Sequence, residues 1–402
     1  MLPVAEIKRN HNFLSSLPWI YGPGYDIFFF SPIWWLPVCA AAFIWVGPWV
    51  GMGLFFVLYH VVIRLPHFMA TLPVTYMRKE NWQYYLSNWV KYIAVPVGLL
   101  AVYFFFGDLS DHRWSSLLLL NISLIWGLQH IAFQNYGILQ VYHARGGLKD
   151  SGSSLLEKAI YFFVFLGSIV PMGQADKFRL FYPTNSFDWL MISRSIQMSF
   201  LTILFAIYLL RAYRAGRKSI PGILFLVTSV AAMIYWPFYE WSGDRFLGLS
   251  FFFYMYNAQH CLSYIGLVGY MRERRRLNRN LEAKLFSVPR VLGFALILIA
   301  ISAAVIYTLL LLQPGSLLQE LKNNQSRLFA GLEGFYVVHY YLESISWRYK
   351  IAHNRENMFS LLAPITTSET SFAGVGSVSP SAGHTFGLQS HTPEVFPPRR
   401  AR

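Results

Sequence analysis

An all-α bundle of about ten transmembrane helices is the fold this chain of 402 residues predicts, and three observations carry that expectation. Hydrophobic residues make up 55% of it and charged residues only 13%, about half the charged share of an ordinary globular protein; mean hydropathy is +0.39. The apolar residues form long continuous runs rather than alternating, and helices are the way such runs satisfy their backbone in lipid. The basic residues that bring the formal net charge to +14 gather between alternate runs. Such a composition excludes a disulfide scaffold, a disordered protein and a soluble doubly wound or barrel enzyme. Cys39 and Cys261 are the only cysteines, each inside an apolar run, so neither a disulfide framework nor a Cys-rich zinc site is available.

The first residues, MLPVAEIKRNHNF, lack a compact apolar segment followed by a cleavage site, so the first span is expected to serve as the insertion signal. Spans of ~20 residues are expected at 28–46, 50–70, 88–106, 115–137, 158–173, 191–211, 221–240, 246–271, 290–313 and 328–347, the first two being divided at Gly47-Pro48. Loops after even-numbered spans hold sixteen Lys/Arg: Arg78 and Lys79; Arg145, Lys149 and Lys158; Arg211, Arg214, Arg217 and Lys218; and seven between Arg272 and Arg290. Loops after odd-numbered spans hold six, Arg113, Lys177, Arg179, Arg245, Lys322 and Arg327. Positive charge marks the cytoplasmic side. The expectation is a multi-pass integral membrane protein with both termini in the cytoplasm, in the inner membrane if the cell is bacterial. The basic run 272–290 is then a topology anchor rather than a site for anionic lipid, and the placement of the charge argues against nucleic acid as a partner. Residues 1–355 form the membrane domain. Residues 356–402, rich in Ser, Thr, Gly and Pro, cannot bury enough apolar surface to fold and are expected to be a disordered cytoplasmic tail.

Ionisable residues inside spans are costly and need a reason. His67 lies 11 residues before Arg78, His130 15 before Arg145, His260 12 before Arg272 and His339 9 before Arg348. At ~1.5 Å per residue each imidazole sits roughly 13–23 Å inside the cytoplasmic boundary. All four are on even spans running the same way, which makes one histidine layer. Each has a polar neighbour on its own helix face: Thr71 and then Thr75 for His67, Gln134 for His130, Asn257 and Tyr264 for His260, and Glu343 for His339. Neighbours of this kind orient metal-bound imidazoles, and they equally build an interhelical hydrogen-bond network. His60, seven residues before His67, is a fifth ligand or belongs to a second metal, with Pro66 loosening the helix between them. His143 reads as interfacial, His112 as part of an outside loop, His353 as cytoplasmic, and His384 and His391 fall in the tail. Among carboxylates, Glu343 is the best candidate for a ligand or proton acceptor. Glu333 is turned about 120° away from His339, Glu240 lies at an outer end, and Asp26 is a structural cap or folds towards the site.

A set rich in imidazole and poor in carboxylate suits iron, copper or zinc rather than magnesium or calcium. Buried in lipid, it suits a non-haem iron oxygenase or oxidoreductase acting on a carotenoid, sterol or acyl chain, with water excluded. Haem between two of the layer histidines, or on His130 and His143, and copper are the competing cofactors. No span carries the HExxH of zinc hydrolases, and the HxxxH and HxxHH clusters of diiron desaturases are absent. Two other classes remain open: a proton-coupled transporter whose histidines relay protons, although no internal repeat is evident, and a structural protein with a hydrogen-bond layer. No nucleotide-binding loop or reductase domain is present in the sequence, so a reductant would come from a separate donor or from the substrate.

Dispersed single histidines resemble, in ligand style alone, the membrane carotene dioxygenases of the Brp/Blh type. Four stretches, HFMATLPVTY at 67–76, HIAFQNYG at 130–137, NAQHCLSYIGLV at 257–268 and VHYYLESISWR at 338–348, resemble a family of uncharacterised bacterial polytopic membrane proteins. The family pattern is H-x-x-x-T-x-x-x-T-Y, H-x-x-x-Q-x-Y-G, a histidine before a tyrosine-containing span, and H-H-Y-x-x-D-x-x-x-W-[RK]. The resemblance covers most of residues 20–350. It implies a shared site on His67, Thr71, Thr75, Tyr76, His130, Gln134, Tyr136, Gly137, His260, His339, Glu343, Trp347 and Arg348, and no particular reaction. This chain has Arg64 where the family often has an acid, Val338 where it pairs two histidines, and Glu343 in place of Asp. Those departures favour a mononuclear site over a dinuclear one.

Overall fold

The computed structural model describes residues 13–31, 34, 59–76, 79–106, 114–148, 154–173, 187–230, 245–279, 288–311, 327–347, 351, 353–354 and 359–362, and the structural statements that follow concern these. Their regular structure is helical throughout, without a strand. Helix α1, Pro23–Phe29, opens on a proline at its first position, where no backbone N–H is needed. Asp26 folds back to accept the backbone N–H groups of Ile20 (2.7 Å), Tyr21 (3.0 Å) and Gly22 (3.3 Å) and the Tyr142 hydroxyl (2.9 Å). Of the two roles open to Asp26, the structural cap is the one observed.

Two helices share one device. A π turn at Tyr59–Arg64 leads into α2, Leu65–Thr75, and another at Val90–Ala94 leads into α4, Val95–Phe106. Each following helix has proline at its second position, Pro66 and Pro96. Proline cannot donate to the carbonyl four residues back, and a wider turn before it absorbs the missing bond. Between them α3, Lys79–Ser87, meets α4 at 92°. Helix α5, Trp114–Gly146, is ended by Gly147 at φ 69, a left-handed conformation that glycine adopts without a Cβ clash. Helices α6, Ser154–Gly173, and α7, Phe187–Ala215, follow. Gly216 at φ 70 then starts a 3-10 turn to Ser219, whose hydroxyl donates to the carbonyl of Ala212, and α8, Ile220–Val230, begins. Helices α9, Arg245–Arg279, α10, Val288–Leu311, and α11, Arg327–Ser346, complete the set.

These helices fall on nine of the ten expected spans. The first, 28–46, lies outside the described residues beyond Ser31 and Trp34, as do residues 231–240. By length and composition alone, Ser195–Val230 is apolar enough to cross a membrane, and the bent pair from Asn81 to Phe106 qualifies if it counts as one span; Val61–Thr71 and Val288–Ala304 are apolar but shorter. Helices α5, α9 and α11 carry the histidines, amides and carboxylates of the interior, which lower their hydropathy.

At the centre, α2 and α5 each pack against both α9 and α11, so four helices close a circuit. Helix α4 lies on α11, α6 and α8 on α5, α7 on α6, α10 on α2 and α9, and α1 on α9. Close approach within the circuit depends on Gly127 of α5, where an added Cβ would stand 2.9 Å from the Tyr340 hydroxyl of α11. Within a largely apolar core, Arg64, Asn121, Asn135, Glu157 and Glu333 are buried together with the histidines, whereas Phe105, Leu296, Val97 and Ile203 are more than half exposed.

The chain divides into two units, Met1–Ala363 and Pro364–Arg402. A 3-10 turn at Phe359–Leu362 buries Leu361 and Leu362 in the core, and Arg145 donates to the Leu362 carbonyl (3.5 Å), so packed structure continues past residue 355. The tail expected from residue 356 otherwise lies outside the described residues.

Candidate metal centre

The four central helices each deliver one histidine to the same point. Ring centroids are 4.7 Å apart for His67 and His260, 5.1 Å for His260 and His130, 5.2 Å for His130 and His339, and 4.4 Å for His339 and His67. The contacts run round a closed circuit that repeats the circuit of helices α2, α9, α5 and α11. His67, His260 and His339 are 0%, 2% and 3% exposed, and the His130 side chain 7%. Ligand atoms of His67, His130 and His339 lie within 4.8 Å of one another, as do those of His67, His260 and Cys261.

Glu343 stands against the circuit from one turn beyond His339 on α11. Its Oε2 is 3.3 Å from His130 Nε2 and its Oε1 3.7 Å from His339 Nε2. Neither contact is aligned as a hydrogen bond. His67 Nδ1 and Nε2, His130 Nε2, His260 Nδ1, His339 Nε2 and both Glu343 oxygens are buried without a hydrogen-bond partner. Buried polar groups are nearly always paired, so a convergent set of lone pairs left unmet fits a cation. Imidazole nitrogens and a carboxylate are donors that suit a bound transition metal.

The ring-orienting partners differ from the same-helix pairs that spacing suggests. Thr71 hydrogen-bonds His339 Nδ1 at 2.7 Å, across to α11, rather than His67 on its own helix. Tyr264 of α9 hydrogen-bonds Thr71 (3.2 Å) and its ring touches His67 (4.7 Å). Gln134 faces the cavity below with both amide atoms unbonded. Asn257 is buried. His60 belongs to the π turn before α2, and its side chain lies outside the described ones, as do those of Thr75 and Arg348. Cys261 was not among the expected ligands; the signal available was its place directly after His260.

Two further polar clusters flank the site. Arg64 forms a buried ion pair with Glu333 (3.6 Å) and lies over the Tyr336 ring (3.6 Å), and Glu333 also accepts from Ser123 (2.5 Å). His143, expected at the membrane edge, is buried within the protein: Nδ1 is 3.0 Å from Glu157 and Nε2 3.1 Å from the Tyr208 hydroxyl, with Gln140 donating to Glu157. The charge beside Arg145 did not reveal that α6 and α7 cover this end of α5.

A cavity of about 410 Å³ opens onto the centre. His130 and Glu343 are its polar contacts with the histidine cluster. Along α5 it follows Trp126, Phe133, Gly137, Ile138 and Val141, with Leu267, Tyr340, Trp347 and Leu362 opposite. Gly137 has nothing within 4 Å of where its Cβ would stand.

No family model matches this chain, and no curated protein or solved structure shows significant similarity to it.

Proposed function

We propose that this chain is an integral membrane metalloprotein in which His67, His130, His260 and His339 bind a metal, foremost non-haem iron, beside a cavity for an apolar, lipid-like substrate, and that it is an oxidoreductase. The single observation that carries the reading is the convergence of four imidazoles from four helices, each with at least one buried ring nitrogen that has no hydrogen-bond partner. A purely structural polar layer would bond its groups to one another; here Thr71 bonds Tyr264 and His339, while neither ring nitrogen of His67 has a hydrogen-bond partner.

Membrane residence is supported by the exposed large apolar side chains and by Ser195–Val230, whose most apolar window is only 22% buried within the protein. The apolar core helix of a soluble protein would be mostly covered. Exposed aliphatic and aromatic side chains spread over α4, α7 and α10 form more apolar surface than a water-soluble monomer carries. The basic turn at Arg217 and Lys218 and the run after Met271 then face the cytoplasm.

Each group has a task. When bound, iron would supply the one-electron and dioxygen chemistry that no side chain provides. Thr71, held by Tyr264, fixes His339 with Nε2 facing the centre. The apolar cavity wall excludes water and holds a hydrocarbon chain against His130 and Glu343. Glu343, the carboxylate shared by the centre and the cavity, takes up or returns a proton at its oxygens. Reducing equivalents come from a separate donor or from the substrate. Metal analysis of the purified chain, wild type against His130→Ala, tests the reading: stoichiometric iron lost in the variant is expected, and absence of any transition metal from both would reject it.

A further inference from the structure

Two buried groups at the centre go unused by a single metal position: the second ring nitrogen of His67 and the thiol of Cys261. His67 is 0% exposed, and neither Nδ1 nor Nε2 has a hydrogen-bond partner. A histidine that binds one metal ordinarily gives its other N–H to a carboxylate, a carbonyl or water. His339 follows that rule, with Nδ1 on Thr71 and Nε2 towards the centre. His67 departs from it. Two donor triads also meet there, His67 with His130 and His339, and His67 with His260 and Cys261, and they share no other residue. In the second triad Cys261 is 2% exposed, with the Tyr59 hydroxyl as its polar neighbour, and His260 Nδ1 is unpartnered, so three buried donors from α2 and α9 face one another.

We propose that His67 is a bridging imidazolate between two metal positions, the second held by His67, His260 and Cys261; this rests on the reading that the cluster binds metal. The first position has His67, His130, His339 and the adjacent Glu343, a nitrogen and oxygen set suited to iron. The second has two imidazoles and a thiolate, a softer set that suits copper or zinc. Binding releases the thiol proton of Cys261 and the remaining ring proton of His67 to solvent, because both groups ligate as anions. Donors within 4.8 Å of one another need to draw in by about 1 Å to reach bond lengths of about 2.0–2.3 Å. Substitution of an acid by Arg64 on this side of the site does not count against two metals, since the Arg64 charge is neutralised by Glu333.

The test uses the full chain in detergent, stripped with a chelator and titrated with cobalt(II) alone. Two equivalents bind, and one of them brings the near-ultraviolet absorption of a thiolate-to-cobalt charge transfer. Cys261→Ser and Cys261→Ala each bind one equivalent without that absorption and keep the metal-free melting temperature of the wild type, whereas Cys39→Ser retains both equivalents and the band. Should the Cys261 variants fail to fold, wild-type stoichiometry and spectrum decide the matter together with Cys39→Ser. A single equivalent, or two equivalents without a thiolate band, overturns the bridging proposal and leaves the single-metal reading standing. No bound cobalt overturns both.

Discussion

Thr71 shows how much one hydroxyl does at this site. It reaches from α2 to His339 on α11 and is itself met by Tyr264 of α9, so a single side chain ties three of the four central helices at the depth of the histidines. Thr71→Val keeps shape and volume while removing the acceptor that sets the His339 ring. Metal affinity, read by competition with a chelator, is expected to fall roughly 10–100-fold with little change in melting temperature; unaltered affinity would show that the hydroxyl is packing alone. Gly137 is the complementary case, a missing side chain beside the cavity. Gly137→Phe is expected to fill the space along α5 and abolish labelling of the chain by a photoreactive fatty acid without altering metal content. Persistent labelling would place the hydrocarbon elsewhere. The histidines were legible in the sequence because an ionisable residue in an apolar run stands out at once. Their hydrogen-bond partners were not: same-helix spacing pairs Thr71 with His67, and only the packing of α2 on α11 sends the hydroxyl across to His339. Cys261 was not among the expected ligands, since a thiol in an apolar run carries no sign of being a ligand until the helix facing it is known.

At the scale of elements, the π turns before Pro66 and Pro96 illustrate what periodicity misses. A proline early in an apolar run signals a weakened helix; that the backbone answers with a wider turn in both α2 and α4 depends on the helices packed beside it. The π turn before α2 ends at Arg64, which joins this element to α11 through Glu333. Arg64→Met leaves the Glu333 carboxylate buried and unpaired, and a cost of about 3–5 kcal/mol is expected for breaking such a pair. The double variant Arg64→Met with Glu333→Leu should recover most of that, as measured by unfolding in detergent; a double variant as unstable as the single one would contradict the pairing. Charge at these positions could be read from the sequence, but a turn of about 120° between Glu333 and His339 concealed that the acid has its own partner. His143 and Glu157 escaped for a related reason, because covering by α6 and α7 is a tertiary fact.

For the molecule as a whole, the proposed membrane residence is what orders its polarity: among the described residues Phe105 and Leu296 are exposed while Arg64 and Glu157 are buried, an arrangement that is costly in water. Reporter fusions after Lys218 and after Arg279 are expected to report the cytoplasm, and one after Phe106 the opposite side. A reporter after Lys218 found outside would reverse the orientation and separate the histidine layer from the basic loops used to place it. Helix positions could be read from apolar runs at nearly every expected span, whereas the circuit of α2, α9, α5 and α11 could not, since nothing in one sequence orders helices around a centre.

The claim on which the account turns is that these four helices converge in order to hold a metal. X-ray absorption at the metal edge of the purified, untreated full chain addresses it most directly. Nitrogen neighbours at about 2.0–2.1 Å, with the outer-sphere scattering of several imidazole rings, are the expected result, with that scattering reduced in His339→Ala. A sample with no stoichiometric metal, or an edge spectrum with oxygen neighbours and no imidazole contribution, would contradict it.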